Sequence, residues 1–395
     1  MRYLPILLIL LFSCRENDKR ATVLYEPNSV KNVEPEIVDT ISFEENYTYI
    51  NAVIGISDIN NNLQGFWAHD GKGLSIFKYD KEGKILNKIS LPTINEPYGL
   101  NRITDFKIIN EDSIFVYDGE FSRLNLVNSQ SEIINSWKIY QYVEEISPEF
   151  SNEIVDSYLN ETNELILELS GYSNIYYTSD PNFFEKNTLL YQINLTTGKV
   201  KSGIKYPQNS PYKNYLFWSG IIPYIRKIDS TYLTIFTHDE HLYFHDQNLE
   251  LISKYSTLPT NFPRGRGNEW GTKQKMNYAR INRKLNGYNF KIKEPFETKN
   301  GKLLGRVYSA PLGDNPSIPD DMQSFMKGNF KSKYYLKIFN INKNFQKIYN
   351  YIEIGYLNLG NLIFIDKNEF YYFLENNPNR ESYRIFKVQL KELTT

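Results

Sequence analysis

The sequence predicts an all-β protein: a six-bladed β-propeller of four-stranded antiparallel blades with short helical insertions. Three observations point there. From Ile41 onward, short apolar and aromatic runs of period two are parted by Asn, Asp, Gly and Lys, which are strand and turn signals. The chain is rich in Tyr (32), Phe (24) and Ile, residues that pack well on a pleated face. The runs also repeat as similar units, at intervals of about 50 residues or more. With 395 residues, about a quarter of them charged, the chain is long enough to bury a sizeable core and fits neither disorder nor a multi-span membrane protein.

At the N-terminus, Arg2 precedes an apolar run from Leu4 to Phe12 that is broken only by Pro5. The run is too short for a bilayer-crossing helix, which needs about 20 residues, and reads as a secretory signal. It ends in Leu11-Phe12-Ser13-Cys14, which resembles the lipobox of bacterial lipoproteins, with a Phe bulkier than usual at its place. That resemblance implies cleavage after residue 13 and a lipid (palmitate) anchor on Cys14, the chain's single cysteine. A lone cysteine rules out an internal disulfide framework and a cysteine-cluster metal site. Arg15 to Arg20 is entirely polar, and no apolar period appears before about Pro35. The expected organisation is a signal peptide over 1–13, a polar tether over 14–36 and the propeller over 37–395.

Within the propeller, a tight turn rich in Asn, Asp and Lys precedes an aromatic strand six times. These turns lie at Asn60 to Asn62, Asn110 to Ser113, Asn160 to Glu164, Lys227 to Thr231, Lys299 to Lys302 and Asp366 to Glu369. A further strand follows each, as in Leu74 to Asp80, and five of these run through a second turn into a fourth strand. Small sheets of this kind can bury their faces only against one another, which is the logic of a propeller. The sixth unit stops after Tyr383 to Leu390, so a strand near Ile37 to Phe43 is expected to supply its fourth member and close the ring. A large β-sandwich or solenoid is the rival architecture, because the repeat lengths are uneven. Lys273 to Leu285 and Asp320 to Met326 are the two stretches that read as helical.

The lipobox, the stretch from Gly99-Leu100-Asn101-Arg102-Ile103 to Asp112-Ser113-Ile114-Phe115 and the ladder of units together resemble the uncharacterised TolB-like six-bladed propeller lipoproteins of Bacteroidetes-type bacteria. The resemblance implies fold and location. It transfers no catalytic residue, since that family has no assigned activity.

The sequence contains no H-E-x-x-H, no G-x-S-x-G and no P-loop, so no catalytic residue is assigned from motif. The Asp58 to Asn62 run begins like a calcium loop, but Leu63 stands where the loop needs Gly and His69 where it needs Glu. His238-Asp239-Glu240-His241 and His245 form a cluster in which His241 and His245 would lie about 13 Å apart on a strand, too far to share an ion easily. His238 and His241 could approach across a turn, with Asp239 or Glu240 as third ligand; the plain reading is a polar hairpin tip. His69-Asp70 is read in the same way. No metal and no cofactor are assigned.

The strongest functional signal is electrostatic. Between Arg264 and Lys293 nine cationic side chains face a single acid, Glu269, in a chain whose formal net charge is -1. A dedicated nucleic-acid binder would be basic overall, so nucleic acid is not an expected partner. The segment belongs to an insertion at about 259–295, and a second insertion covers 309–331. Arg264, Arg266, Trp270, Arg280 and Arg283 could present guanidinium and aromatic groups to carboxylate, sulfate or phosphate. The alternative is a solvated excursion against the side of a blade. The sequence thus leads to an outer-membrane, lipid-anchored, non-catalytic binding or scaffold propeller for an envelope protein or anionic glycan. The alternative function is a hydrolase or lyase acting on an envelope or extracellular glycan or peptide at the propeller funnel.

Overall fold

The computed structural model describes residues 22–23, 33–43, 50–58, 61–70, 73–143, 153–171, 183–216, 223–236, 238–239, 241–256, 268–269, 291–292, 296–311, 332–341, 346–347, 352–353, 359–375 and 383–392. They form six sheets around an axis. Blade 1 comprises β3 (Ile50–Ser57), β4 (Leu63–Asp70), β5 (Ser75–Asp80) and β6 (Ile85–Ser90), and blade 2 comprises β7 (Asp105–Asn110), β8 (Ser113–Asp118), β9 (Arg123–Val127) and β10 (Ile133–Lys138). Blade 3 holds β11 (Glu153–Leu159), β12 (Leu165–Ser170), β13 (Thr188–Asn194) and β14 (Val200–Lys205); blade 4 holds β16 (Tyr224–Ile228), β17 (Thr231–Ile235), β18 (His241–His245) and β19 (Leu251–Ser256). In blade 5, β23 (Gly301–Pro311) and β24 (Ser332–Asn340) are flanked by divided strands: β21 (Lys291–Ile292) and β22 (Phe296–Thr298) on one side, β25 (Gln346–Lys347) and β26 (Ile352–Glu353) on the other. A small ribbon pairs β15 (Tyr215–Leu216) with β20 (Asn268–Glu269).

Blade 6 closes the ring. Its strands β27 (Leu359–Ile365), β28 (Tyr371–Glu375) and β29 (Arg384–Glu392) are joined by β2 (Val33–Ser42), which runs antiparallel to β29 from Val33↔Glu392 to Ser42↔Arg384. Four residues of the stretch expected as tether, Val33 to Glu36, belong to this strand. Two more, Thr22–Val23, form β1 and lie parallel to the outer edge of β19.

The recurrent Asn and Asp of the sequence have one local cause. In successive turns the side-chain oxygen of Asp80, Asn110, Asn128, Asn160, Asp246 or Asp366 accepts the backbone N–H two residues on. Except at Asn110, the same oxygen also accepts the N–H four residues on. Such an acceptor replaces the ladder bonds that the chain gives up on reversing. Left-handed residues complete many of these turns, among them Asn163, Leu249 and Gly83. At Gly83 (φ 89°) a Cβ would stand 2.3 Å from the carbonyl oxygen of Ser42, so glycine lets the blade 1 turn meet the closing strand.

The core lies between blades. Phe106, Ile114 and Val116 of blade 2 pack on Trp67, Ile76 and Ile89 of blade 1, and Phe43, Phe66 and Tyr79 pack on Phe364 and Tyr372 of blade 6. Each blade is therefore apolar on both faces, as a ring of stacked sheets requires. A short helix, α1 (Phe183–Lys186), buries Phe184 against Tyr206 and Tyr212, a helical turn that aromatic periodicity did not signal. The two stretches that read as helical, Lys273 to Leu285 and Asp320 to Met326, lie outside the described residues.

Candidate functional site

The first strand of each blade is the innermost. β11 lies against both β7 and β16, and β27 against β3, so these strands line the central channel. In an antiparallel blade the turns after the first and third strands share one end of the ring. The turns after the second strand and the links to the next blade share the other. At the first end the turns of blades 5, 6 and 1 are stapled together: Lys299 N–H donates to Lys367 O at 3.2 Å and Lys367 N–H to Asn61 O at 3.1 Å, while Asn61 Nδ2 donates to Ile365 O at 3.2 Å and to Glu297 O.

Between blades 2 and 5 that end holds a cavity of about 310 Å³. Lys107 of β7 and Val155 and Asp156 of β11 line one side; Arg226, Lys227 and Ile228 of β16, with Asp229 and Lys302, line the other. Four cationic side chains thus meet Asp156 and Asp229 in the lining, with Glu297 and Glu168 next to Lys302 and Lys227. Lys107 Nζ stands 3.6 Å from Asp156 Oδ1, and Lys227 Nζ 3.2 Å from Asp156 Oδ2. Lys302 Nζ donates to Asp229 Oδ1 at 2.9 Å and lies 3.5 Å from Glu297. Partial burial works against the Lys302 charge, but the two carboxylates outweigh it and raise its pKa above the ordinary lysine value.

Behind the cavity wall, Glu168 of β12 is fully buried and ties blade 3 to blade 4. Its Oε1 accepts from Gln192 Nε2 at 2.9 Å, Tyr158 Oη at 3.2 Å, Lys227 Nζ at 3.3 Å and Tyr232 Oη. The Lys227 ammonium also sits 3.8 Å from the centre of the Tyr158 ring. Burial first, then the Glu168 charge, pushes Tyr158 up to about 12, and burial with the Glu168 hydrogen bond raises Tyr232 further. Both phenols therefore stay protonated at neutral pH. They act as donors that orient Glu168, not as bases.

None of these cavity residues was assigned from sequence, because they are drawn from four different units. The available signal was weak: charged residues in the middle of first strands, as in Asp105-Phe106-Lys107, Asp156 and Arg226-Lys227. The residues that were assigned, Cys14, Arg264, Arg266, Trp270, Arg280 and Arg283, all lie outside the described residues.

His238 and Asp239 lie in the hairpin connection between β17 and β18, but Asp239 is not a solvated tip residue. Asp239 is buried, and its Oδ1 lies 2.7 Å from His241 Nδ1 while Oδ2 accepts from Tyr243 Oη at 2.7 Å. Arg306 of blade 5 donates to its carbonyl at 3.2 Å. Among the described residues no three His, Cys, Asp or Glu converge as a metal group. His69 likewise is no turn residue: it belongs to β4, is buried, and meets Phe106 of the next blade edge-on at 5.4 Å.

Burial pushes both His69 and His245 down to about 4, against the opposing pull of neighbouring Asp70 and Asp246. Because the folded pKa is depressed below the unfolded value near 6.5, this stability is complete above pH 6.5. It is lost as pH falls towards 4, by about 3 kcal/mol per histidine. Urea unfolding at pH 7 and pH 4.5 is expected to show a smaller pH-dependent loss in His69→Leu than in the parent chain; equal losses would refute this origin.

No known family profile matches this chain, and no curated protein sequence does. Solved structures do match. A member of the DUF4221 family from Bacteroides vulgatus aligns with a TM-score of 0.64 at 16% identity, over 92% of this chain and 99% of its own. A candidate exported protein from Bacteroides fragilis aligns with a TM-score of 0.52 at 11% identity, over 94% of this chain and 100% of its own. At these identities the likeness establishes the fold, a six-bladed propeller.

Proposed function

We propose that this chain is a binding propeller of the bacterial envelope that takes a small anionic ligand in its channel cavity and performs no chemistry of its own. The observation that carries this reading is the cavity, where Lys107, Arg226, Lys227 and Lys302 converge from three blades. Pockets for small ligands typically start near 300 Å³, so its volume suits a single small molecule. Export is supported by the signal-like run before Cys14 and by the likeness to a candidate exported protein. The Cys14 lipobox supports a lipid anchor in the outer membrane. The described strands that bound the two insertions support a partner surface: β19 ends at Ser256, β23 ends at Pro311 and β24 begins at Ser332, all at the end of the ring opposite the cavity. Arg264, Arg266, Trp270, Arg280 and Arg283 are the residues proposed to serve an envelope protein or an anionic glycan.

The test is a thermal-shift titration of the full-length chain with citrate, sulfate and glucuronate at low and high salt. A ligand bound only by the folded state raises the melting temperature, and a charge-driven one does so less at high salt. The expected result is a salt-sensitive rise with at least one anion, lost in Lys107→Ala/Lys302→Ala. A rise that survives that double substitution, or no rise at all, would refute the cavity as the site. Turnover of an envelope glycan or peptide, abolished by one carboxylate substitution, would favour the hydrolase or lyase instead.

A further inference from the structure

We infer that the link between blades 1 and 2 is a rigid docking knob for a protein partner that offers an apolar pocket, with Tyr98 and Ile94 as its anchors. The link lies at the end of the ring opposite the cavity, where the strands bounding both insertions stop, and it is independent of what the cavity holds. Tyr98 has a φ of 59°, a left-handed conformation that a bulky side chain adopts only under strain. Burial does not compensate for that strain, because Tyr98 is 60% exposed and Ile94 is 53% exposed.

The backbone, in contrast, is firmly held. Glu96 N–H donates to Thr93 O at 2.8 Å, Gly99 N–H to Glu96 O at 3.0 Å and Leu100 N–H to Pro92 O at 3.0 Å. The Glu96 carboxylate accepts Thr93 N–H at 2.8 Å, and Gly99 comes so close to Thr93 O that a Cβ has no room. Blade 2 adds three further bonds: Asn125 Nδ2 donates to Tyr98 O at 3.0 Å, Arg123 to Gly99 O at 2.7 Å, and Asn101 N–H to Asp118 Oδ2 at 2.6 Å. Asn125 and Asp118 are fully buried, so two interior polar side chains fix a loop whose apolar groups face water. A side chain fixed beforehand loses less entropy on binding, and Tyr is among the residues that most often anchor protein interfaces. Tyr140, 41% exposed, extends the patch: the neighbouring Ile139 N–H donates to Ser122 O at 2.7 Å, one residue from the Arg123 that holds Gly99. A protruding knob needs a concave acceptor, which a small ligand cannot provide. The channel cavity of a second copy does not provide it either, since six of its eight lining residues are charged.

Photo-crosslinking and melting curves test the knob. p-Benzoylphenylalanine replaces Asn95, between the two anchors, or, as a control, Leu86, which is 59% exposed on the outer strand β6. In cells of the source organism position 95 is expected to give one discrete protein adduct and position 86 none. The protein in that adduct, once purified, is expected to bind the full-length chain at least ten-fold more weakly after Tyr98→Ala and about as well after Leu86→Ala. No adduct at position 95, the same adduct at both positions, an adduct with glycan alone, or unchanged binding after Tyr98→Ala would overturn the inference. The strain is tested on the chain alone. Glycine takes up a φ of 59° freely and the Tyr98 ring is in water, so Tyr98→Gly is expected to melt no more than about 3 °C below the parent chain. A larger fall would show that the tyrosine holds the loop together and would overturn its role as a partner anchor.

Discussion

Removing Ile37 to Phe43 is expected to lower stability by about 5 kcal/mol or more, because three kinds of loss add. The segment supplies most of the strand that pairs with β29, so blade 6 would be left with three strands and an open edge. Ile41 and Phe43 are buried, and Phe43 stacks on Tyr79 at 4.3 Å and meets Phe66 edge-on at 5.9 Å, so the interface between blades 6 and 1 would lose its centre. Phe43 N–H also donates to Tyr383 O at 3.1 Å, fixing the end of the strand. Differential scanning calorimetry reads the loss directly. A synthetic peptide of residues 33–43 added to the truncated chain is expected to restore part of it, since a strand can be supplied to an open edge in trans. An unchanged melting temperature would refute the closure.

Glu168→Ala is expected to cost about 3–5 kcal/mol, the usual consequence of deleting one member of a buried charge pair. Four donors converge on Glu168 Oε1 from β11, β13, β16 and β17, so its loss strands partners in two blades. Glu168→Gln keeps the shape and one acceptor but drops the charge beside Lys227, and is expected to cost less. A double-mutant cycle of Glu168→Gln with Lys227→Met, followed by urea denaturation, is expected to give a coupling above about 1 kcal/mol. A cost below about 1 kcal/mol for Glu168→Ala would show that the network does not hold blades 3 and 4 together. The same variants bear on the cavity, because Glu168 and Asp156 both bind Lys227 and so position its ammonium at the wall.

The blades were legible because their determinants are local. An Asn or Asp whose side chain closes a turn within four residues, followed by alternating apolar positions, leaves the same trace wherever it occurs. Four of the six turns between first and second strands are closed this way, by Asp58, Asn110, Asn160 and Asp366, and the polar turns at Lys227 to Thr231 and Lys299 to Lys302 complete the count of six blades. Closure was legible for a related reason: a unit that stops at its third strand requires a fourth, and the chain offers one near Ile37. The strand is longer than expected, starting at Val33, because polar residues such as Glu34 and Glu36 can sit on an outer strand with their side chains in water.

Other features are set by contacts between distant units. His69 beside Asp70 looked like an exposed turn, but Phe106, 37 residues on, covers its ring. Asp239 amid histidines looked like a polar tip or a metal pair, whereas Tyr243, His241 and Arg306 of the next blade draw it inward. The sequence by itself determined the all-β class, the repeat and the need for a closing strand, since these follow from turn chemistry and side-chain alternation over a few residues. Only the tertiary structure decided the cavity. Lys107, Asp156, Lys227 and Lys302 belong to four separate units, and they become neighbours only because the ring turns the first strands of blades 2, 3 and 4 and the start of the second strand of blade 5 toward one axis, where opposite charges meet across the blade boundaries.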